Sequence, residues 1–224
     1  MDQLDEQLSG LGALSEPTRR RLYEYVTGQP VAVSREQAAE AVAMPVHSVK
    51  FHLDKLVAAG LLEVEFRRLT GRTGPGAGRP AKLYRRSGRQ VSVTLPPRSY
   101  DLAGGLLAAA IERATHDAVL VAEAVREVAH DQGRRLADEH APAPGDDLGR
   151  VAAVLQGEGY EPRVVEGTVC LANCPFDRLA AEHTELVCGM NLSLVSGLLD
   201  GLAITSLKAR LAPTPDMCCV RIGA

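Results

Sequence analysis

All five cysteines of this 224-residue chain, Cys170, Cys174, Cys188, Cys218 and Cys219, lie in its last 55 residues, and the first 169 hold none. So uneven a distribution divides the chain into segments of different chemistry before any secondary structure is assigned. Thiols clustered in this way in a reducing compartment favour metal or cluster ligation, or redox sensing, over a framework of structural disulfides. Charge divides at a similar place, because a net charge of −3 conceals +5 through residue 100 and −8 beyond it. A basic half beside an acidic half implies that one binds a polyanion and the other does something else. The length suits two modest domains, and 46% hydrophobic residues can fill their cores. No uncharged apolar run reaches the roughly 18 residues of a membrane span. The acidic start Met1-Asp2-Gln3-Leu4-Asp5-Glu6 is unlike a secretory signal, so a cytoplasmic protein is expected.

The basic half opens with helix signals. Ser15-Glu16-Pro17 offers an N-cap followed by a proline tolerated in the first turn, and Leu22, Tyr25 and Val26 then share a face. Ser34-Arg35-Glu36-Gln37 matches a capping box opening an Ala-rich helix that stops near Met44-Pro45. From Val46 the apolar positions Val46, Val49, Leu53, Leu56 and Val57 recur at helical spacing, leaving His47, Ser48, Lys50, Phe51 and Asp54 on the other face until Gly60 ends the helix. Two short helices joined by a tight turn outline a helix-turn-helix. A strand-like segment from Leu61 to Leu69 and another from Ala81 to Arg86 flank a Gly-rich loop. Eight basic residues and no acidic one lie between Phe66 and Arg89. A cationic hairpin with a glycine-rich tip suits a wing along a phosphate backbone, where glycine allows close approach and arginine makes bidentate contacts. His47, Ser48, Lys50 and Phe51 are the candidates for base-edge or groove contacts. Arg67, Arg68, Arg72, Arg79 and Lys82 are those for the wing, with Arg19 to Arg21 near the backbone and His52 a packed side chain.

Four stretches carry a family resemblance: Leu11 to Leu22, the helix Val49-Lys-Phe-His-Leu-Asp-Lys-Leu56, Ala59-Gly-Leu-Leu62, and the return strand Gly78-Arg-Pro-Ala-Lys-Leu-Tyr84. Over roughly residues 8 to 95 the chain resembles winged-helix repressors of the ArsR type. The resemblance implies the winged-helix fold, binding of double-stranded DNA, and dimerisation.

Val91, Val93 and Leu95 alternate as in a strand that Pro96-Pro97 stops. Tyr100 to about His140 then reads as one long Ala-rich helix, with Leu102, Leu106, Ala110, Ala118, Ala122, Val125 and Ala129 on its apolar face. A helix of that length needs a partner, either the following domain or the same helix of a second copy. A homodimer on a two-fold axis would read a palindromic operator. The expected fold is α+β in three parts: a winged helix-turn-helix over 1–97, a linker or dimerisation helix over 98–145, and a small α+β cysteine-containing sensor domain over 146–224.

Within the last part the pattern predicts a helix at Leu148 to Gln156, strands at Glu161 to Val165 and Thr168 to Leu171, and helices around Phe176 to Glu182 and Met190 to Leu202. Further strands are expected at Lys208 to Ala212 and Cys218 to Ile222. Cys174-Pro175 and Cys188-Gly189 fall at expected helix starts, where free N–H groups and the helix dipole favour thiolates. Adjacent strand residues face opposite ways, so Cys218 is taken as the ligand of its pair and Cys219 as core, although a bent loop would admit both. Cys170 is equally a packed strand residue or a ligand, and His183 is a possible nitrogen donor or a surface histidine. Cys174-x13-Cys188-x29-Cys218 matches neither a zinc ribbon nor a ferredoxin run.

Asn173-Cys-Pro-Phe176, His183 to Val187-Cys188, Gly197 and the terminal Cys-Cys-Val resemble the C-terminal domain of the SufR-like branch of ArsR-related regulators. That resemblance implies an iron-sulfur cluster, 4Fe–4S or 2Fe–2S, on Cys174, Cys188 and Cys218, with Cys170, His183 and Cys219 as possible additional ligands and the cluster's state governing operator binding. A zinc site and a metal-free thiol switch are the alternatives. No redox C-x-x-C motif, phosphate loop or Ser/His/Asp signature points to an enzyme.

Overall fold

A computed structural model describes residues 3–68, 80–140, 145–214 and 217–224, in two compact units, 1–93 and 94–224. The first unit runs α1 (Gln3–Ser15), α2 (Pro17–Thr27), β1 (Val33–Ser34), α3 (Arg35–Val42), α4 (Val46–Ala58), β2 (Leu62–Arg67) and β3 (Ala81–Arg86). Glu16 caps α2, its carboxylate accepting from the Thr18 and Arg19 amides at 2.9 and 2.8 Å, with Pro17 in the first helical turn. The expected capping box forms at α3, where the Gln37 amide donates to Ser34 Oγ and the Ser34 amide to Gln37 Oε1.

Ala43, at φ 53°, makes the tight turn into α4. At the other end of α4, Gly60 takes φ +70°. The Leu61 and Gly60 amides bond to the Leu56 and Val57 carbonyls, the Schellman closure that a residue at positive φ permits. Leu22 and Val26 of α2, Ala38, Ala39 and Val42 of α3, and Val49, Leu53 and Leu56 of α4 fill the core over Leu62 and Tyr84. The strands pair antiparallel in the order β1-β3-β2. No strand forms at residues 91–95: Val91 packs on this core from irregular chain, and Leu95 is exposed.

The second unit comprises α5 (Tyr100–Asp117), α6 (Val121–Glu139), α7 (Asp147–Gly157), β4 (Pro162–Val165), β5 (Thr168–Leu171), α8 (Asp177–Glu182), α9 (Thr184–Gly201), β6 (Lys208–Leu211) and β7 (Val220–Gly223). The single helix expected from Tyr100 to His140 is thus two helices. Ala118 at φ 54° ends α5 and lets α6 fold back on it. Neither helix is a free-standing linker, because Leu106 and Ala110 of α5 and Val125 and Ala129 of α6 belong to one core with Val154, Leu171, Met190, Leu194 and Ile222. Where α6 and α9 cross, Gly133 and Gly197 bring backbone against backbone. An antiparallel sheet ordered β4-β5-β7-β6 completes the unit.

Candidate DNA-binding surface and thiol site

Helix α4 buries Val49, Leu53 and Leu56 and turns His47, Lys50 and Phe51 outward, with Ser48 half-buried; Phe51 is 56% exposed. The outward face therefore carries the residue types expected of it, though Val46, assigned to the apolar face, is itself exposed. Strands β2 and β3 form the hairpin that follows, with Arg67 and Arg68 exposed at its outer end. Arg72 and Arg79 lie outside the described residues.

Asp54 joins helix to hairpin, a role the sequence reading missed. Lys82 Nζ donates to Asp54 Oδ1 at 2.6 Å, the Tyr84 hydroxyl donates to the same oxygen at 3.2 Å, and Lys50 Nζ stands 3.6 Å from Oδ2. Burial opposes ionisation of Asp54, but the hydrogen bond and charge of Lys82 outweigh it, so the carboxyl sits below its ordinary value. Lys82, expected only on phosphate, thus also braces the return strand against α4. The four-residue spacing of Lys50 and Asp54 was the available signal for half of this cluster. His52 is tucked against Glu16, its Nδ1 3.5 Å from the carboxylate that caps α2.

In the second unit the thiols of Cys174, Cys188, Cys218 and Cys219 lie near enough to perturb one another's ionisation, Cys174 with Cys218, Cys218 with Cys219, and Cys219 with Cys188. Three expectations change. Strand β7 begins at Val220, so Cys218 and Cys219 precede it on a bend and the alternation that would separate them does not apply. Helix α9 begins at Thr184, not Met190, which puts Cys188 inside the helix; burial, then its bonds with Cys219, push that thiol up to about 12 instead of down. Cys174 precedes the six-residue α8, and its thiol is lowered chiefly by a hydrogen bond from Cys218, with the Phe176 amide assisting. Cys218 is correspondingly pushed up, and bonds from Cys218 and then Cys188 pull Cys219 down to about 6.

Cys170 and His183 stand apart from this group. In β5 the inward positions are Val169 and Leu171, so Cys170 faces the other side, in register with Arg163 and Arg221. His183 is exposed at the start of α9, lining a cavity of about 500 Å³ with Arg126 and Met190 and no cysteine. Among the described residues, no group of three or more His, Cys, Asp and Glu side chains is arranged to hold a single metal ion.

Two buried polar side chains serve the thiol group. Asn191, in the apolar run of α9, donates to Cys218 Sγ at 3.2 Å and accepts from the Tyr160 hydroxyl at 2.5 Å. Tyr160 packs edge-on to Phe176, and burial above all holds its hydroxyl well above its ordinary value, so it remains a donor. Asn173 donates to the carbonyls of Pro97 (2.9 Å) and Gly159 (2.7 Å) and accepts from Arg98 Nη1, which also donates to the Cys174 carbonyl at 3.2 Å. An asparagine within an apolar helix run, and another beside a candidate ligand, were signals that the sequence reading left unused.

A family model for a helix-turn-helix domain matches residues 14–65, which span α2 through the first strand of the hairpin. The N-terminal unit thus contains a helix-turn-helix domain, which suggests a DNA-binding transcriptional regulator. No curated protein and no solved structure matches the chain. Among the described residues, no helix is long and apolar enough to cross a membrane.

Proposed function

We propose that the chain is a homodimeric transcriptional repressor whose hold on a palindromic operator is governed by an iron-sulfur cluster on Cys174, Cys188, Cys218 and Cys219. The observation that carries this reading is the gathering of four thiols from three separate stretches, in a chain whose other unit is a DNA-binding domain. An all-sulfur donor set suits iron-sulfur chemistry or zinc. Bound there, the cluster would supply redox chemistry and sensitivity to oxidants. The residues around it have definite tasks. Asn191 directs its N–H at Cys218 Sγ, and Tyr160 and Phe176 shield that side from water. At the other unit, His47, Ser48, Lys50 and Phe51 would read the groove and Arg67, Arg68 and Lys82 would contact phosphate, a role that the sequence alone extends to Arg72 and Arg79.

A metal-free thiol switch is the second reading, favoured by the mutual perturbation of neighbouring free thiols. A hydroperoxide would oxidise two of them to a disulfide, taking up both electrons and both protons to leave an alcohol and water. The visible spectrum of anaerobically purified chain, with iron, sulfide and zinc assays, separates these readings. Brown protein with near-stoichiometric iron and sulfide supports the cluster. Colourless protein with one zinc per chain refutes it, and colourless metal-free protein that responds to peroxide supports the switch.

A further inference from the structure

Residues 97–99, which the chain reaches directly after the DNA-binding unit, are held to the stretch bearing Cys174 by a set of polar contacts. Asn173 Nδ2 donates to the Pro97 carbonyl, the Ser99 amide donates to the Pro175 carbonyl at 3.0 Å, and Ser99 Oγ donates to the Glu158 carbonyl at 3.2 Å. Arg98 is the centre of the set. Its Nη1 serves both Asn173 Oδ1 and the Cys174 carbonyl, and its Nη2 lies 3.6 Å from Asp177 Oδ2. Gly159, at φ +88°, makes the approach possible, since a Cβ there would lie 3.1 Å from Pro97 Cβ.

Asn173 is 6% exposed and has both ends of its amide engaged. A buried, fully satisfied polar group has few alternative arrangements, so displacement of the Cys174 backbone cannot be absorbed locally without leaving donors or acceptors unpaired. The Cys174 carbonyl and the Pro97 to Ser99 backbone are therefore mechanically one piece. We infer that Arg98 and Asn173 are positioning residues that report the state of the Cys174 thiol to the segment entering from the DNA-binding unit. The inference rests on the reading of the clustered thiols as the sensing site and adds the route by which sensing leaves it.

The test uses the full chain as wild type, Cys174→Ser, Arg98→Ala and Arg98→Lys. In the native Arg98 background, Cys174→Ser or removal of the cofactor is expected to speed amide exchange at Ser99 about tenfold, the equivalent of one lost hydrogen bond. Arg98→Ala is expected to exchange fast from the start and to respond no further. On a duplex selected from a random pool, wild type changes affinity when stripped of its cofactor. Arg98→Ala, with iron and sulfide content intact, should show a holo-to-stripped ratio within about twofold of one. Arg98→Lys keeps the charge beside Asp177 but not the fork, and should behave as the alanine variant.

Unchanged Ser99 exchange in Cys174→Ser, or wild-type switching in Arg98→Ala, overturns the inference. Loss of cofactor from Arg98→Ala also overturns it, because Arg98 would then build the site instead of reporting on it. A wild-type chain without cofactor overturns the cluster reading alone, and the Cys174→Ser exchange measurement still decides the coupling. That measurement also decides it should Arg98→Ala fail to fold.

Discussion

Replacing Gly197 with alanine should separate the two central helices of the second unit. A Cβ built on Gly197 falls 2.0 Å from the His130 carbonyl oxygen, 2.7 Å from its carbonyl carbon and 2.9 Å from its Cα. Reciprocally, a Cβ on Gly133 falls 2.0 Å from the Leu194 oxygen and 2.6 Å from the Leu198 nitrogen. Ordinary contact begins at 3.4 Å, so α6 and α9 must part by about 1.4 Å at this crossing. The obstructing atoms are backbone, and no rotamer change relieves them. Alanine gains about 1 kcal/mol of helix propensity over glycine. Against this stand an overpacking cost of about 1–3 kcal/mol or more and the packing lost as Val125, Ala129, Leu194 and Leu198 draw apart. The clash should dominate, leaving the unit less stable by about 3 kcal/mol, a large share of the roughly 5–15 kcal/mol typical of a domain.

Urea unfolding followed by far-UV circular dichroism, with amide exchange read separately over α6 and α9, measures the effect. With a slope near 2 kcal/mol per molar urea, the midpoint should fall by about 1.5 M. Gly104→Ala, in the interior of α5 with nothing within 4 Å of its Cβ position, is the control and should stabilise by about 1 kcal/mol. Gly133→Ala combined with Gly197→Ala should cost less than the sum of the two, since helices already parted meet the second methyl with room to spare. A Gly197→Ala protein as stable as wild type would mean that helix propensity governs this position and that α6 and α9 do not touch there.

Three further outcomes follow from the same geometry. The Asp54 carboxyl is held below its ordinary value by Lys82 against the cost of burial, so its stabilisation is present above the unfolded value near about 4 and is lost as pH falls through the lower folded value. The first unit should lose up to about 1 kcal/mol between about pH 5 and pH 2, with Asp54→Asn flattening that slope in urea titrations; identical slopes would remove the brace from the argument. Asn191→Ala strands the Tyr160 hydroxyl in the core and should cost about 1–3 kcal/mol, while Tyr160→Phe with Asn191→Leu should recover much of it; a neutral Asn191→Ala in the same urea assay would show that water already serves Tyr160. Cys170→Ser should leave cofactor content unchanged and Cys219→Ser should reduce it, as read by iron and sulfide assay, and the reverse order would move the site to the outer face of β5.

What could be read in the sequence is what depends on neighbours along the chain. The capping box at Ser34, the apolar row Val49, Leu53 and Leu56, and the paired strands of the hairpin are local patterns, and each appears where its spacing put it. The misreadings arise where a local pattern is overridden by a distant partner. Ala118 looked like one more alanine in a helical run, yet it turns into the left-handed region because α6 must fold back to meet α9. Gly133 and Gly197 carry no mark of each other in the sequence, so what looked like a linker helix proved to be a core helix. The same limit explains the thiols. Alternation assigned Cys218 and Cys219 to opposite faces because a strand was assumed to begin there. It begins two residues later, and the bend before it turns both sulfurs toward Cys174 and Cys188. The ligand candidates were visible as residue types, but what holds them together, Asn191 from α9, Tyr160 ahead of β4, and Asn173 with Arg98, is contributed from positions 98 to 191. Such a site is assembled only by the tertiary fold, and a pairing of glycines some 64 residues apart governs the helix on which two of its members stand.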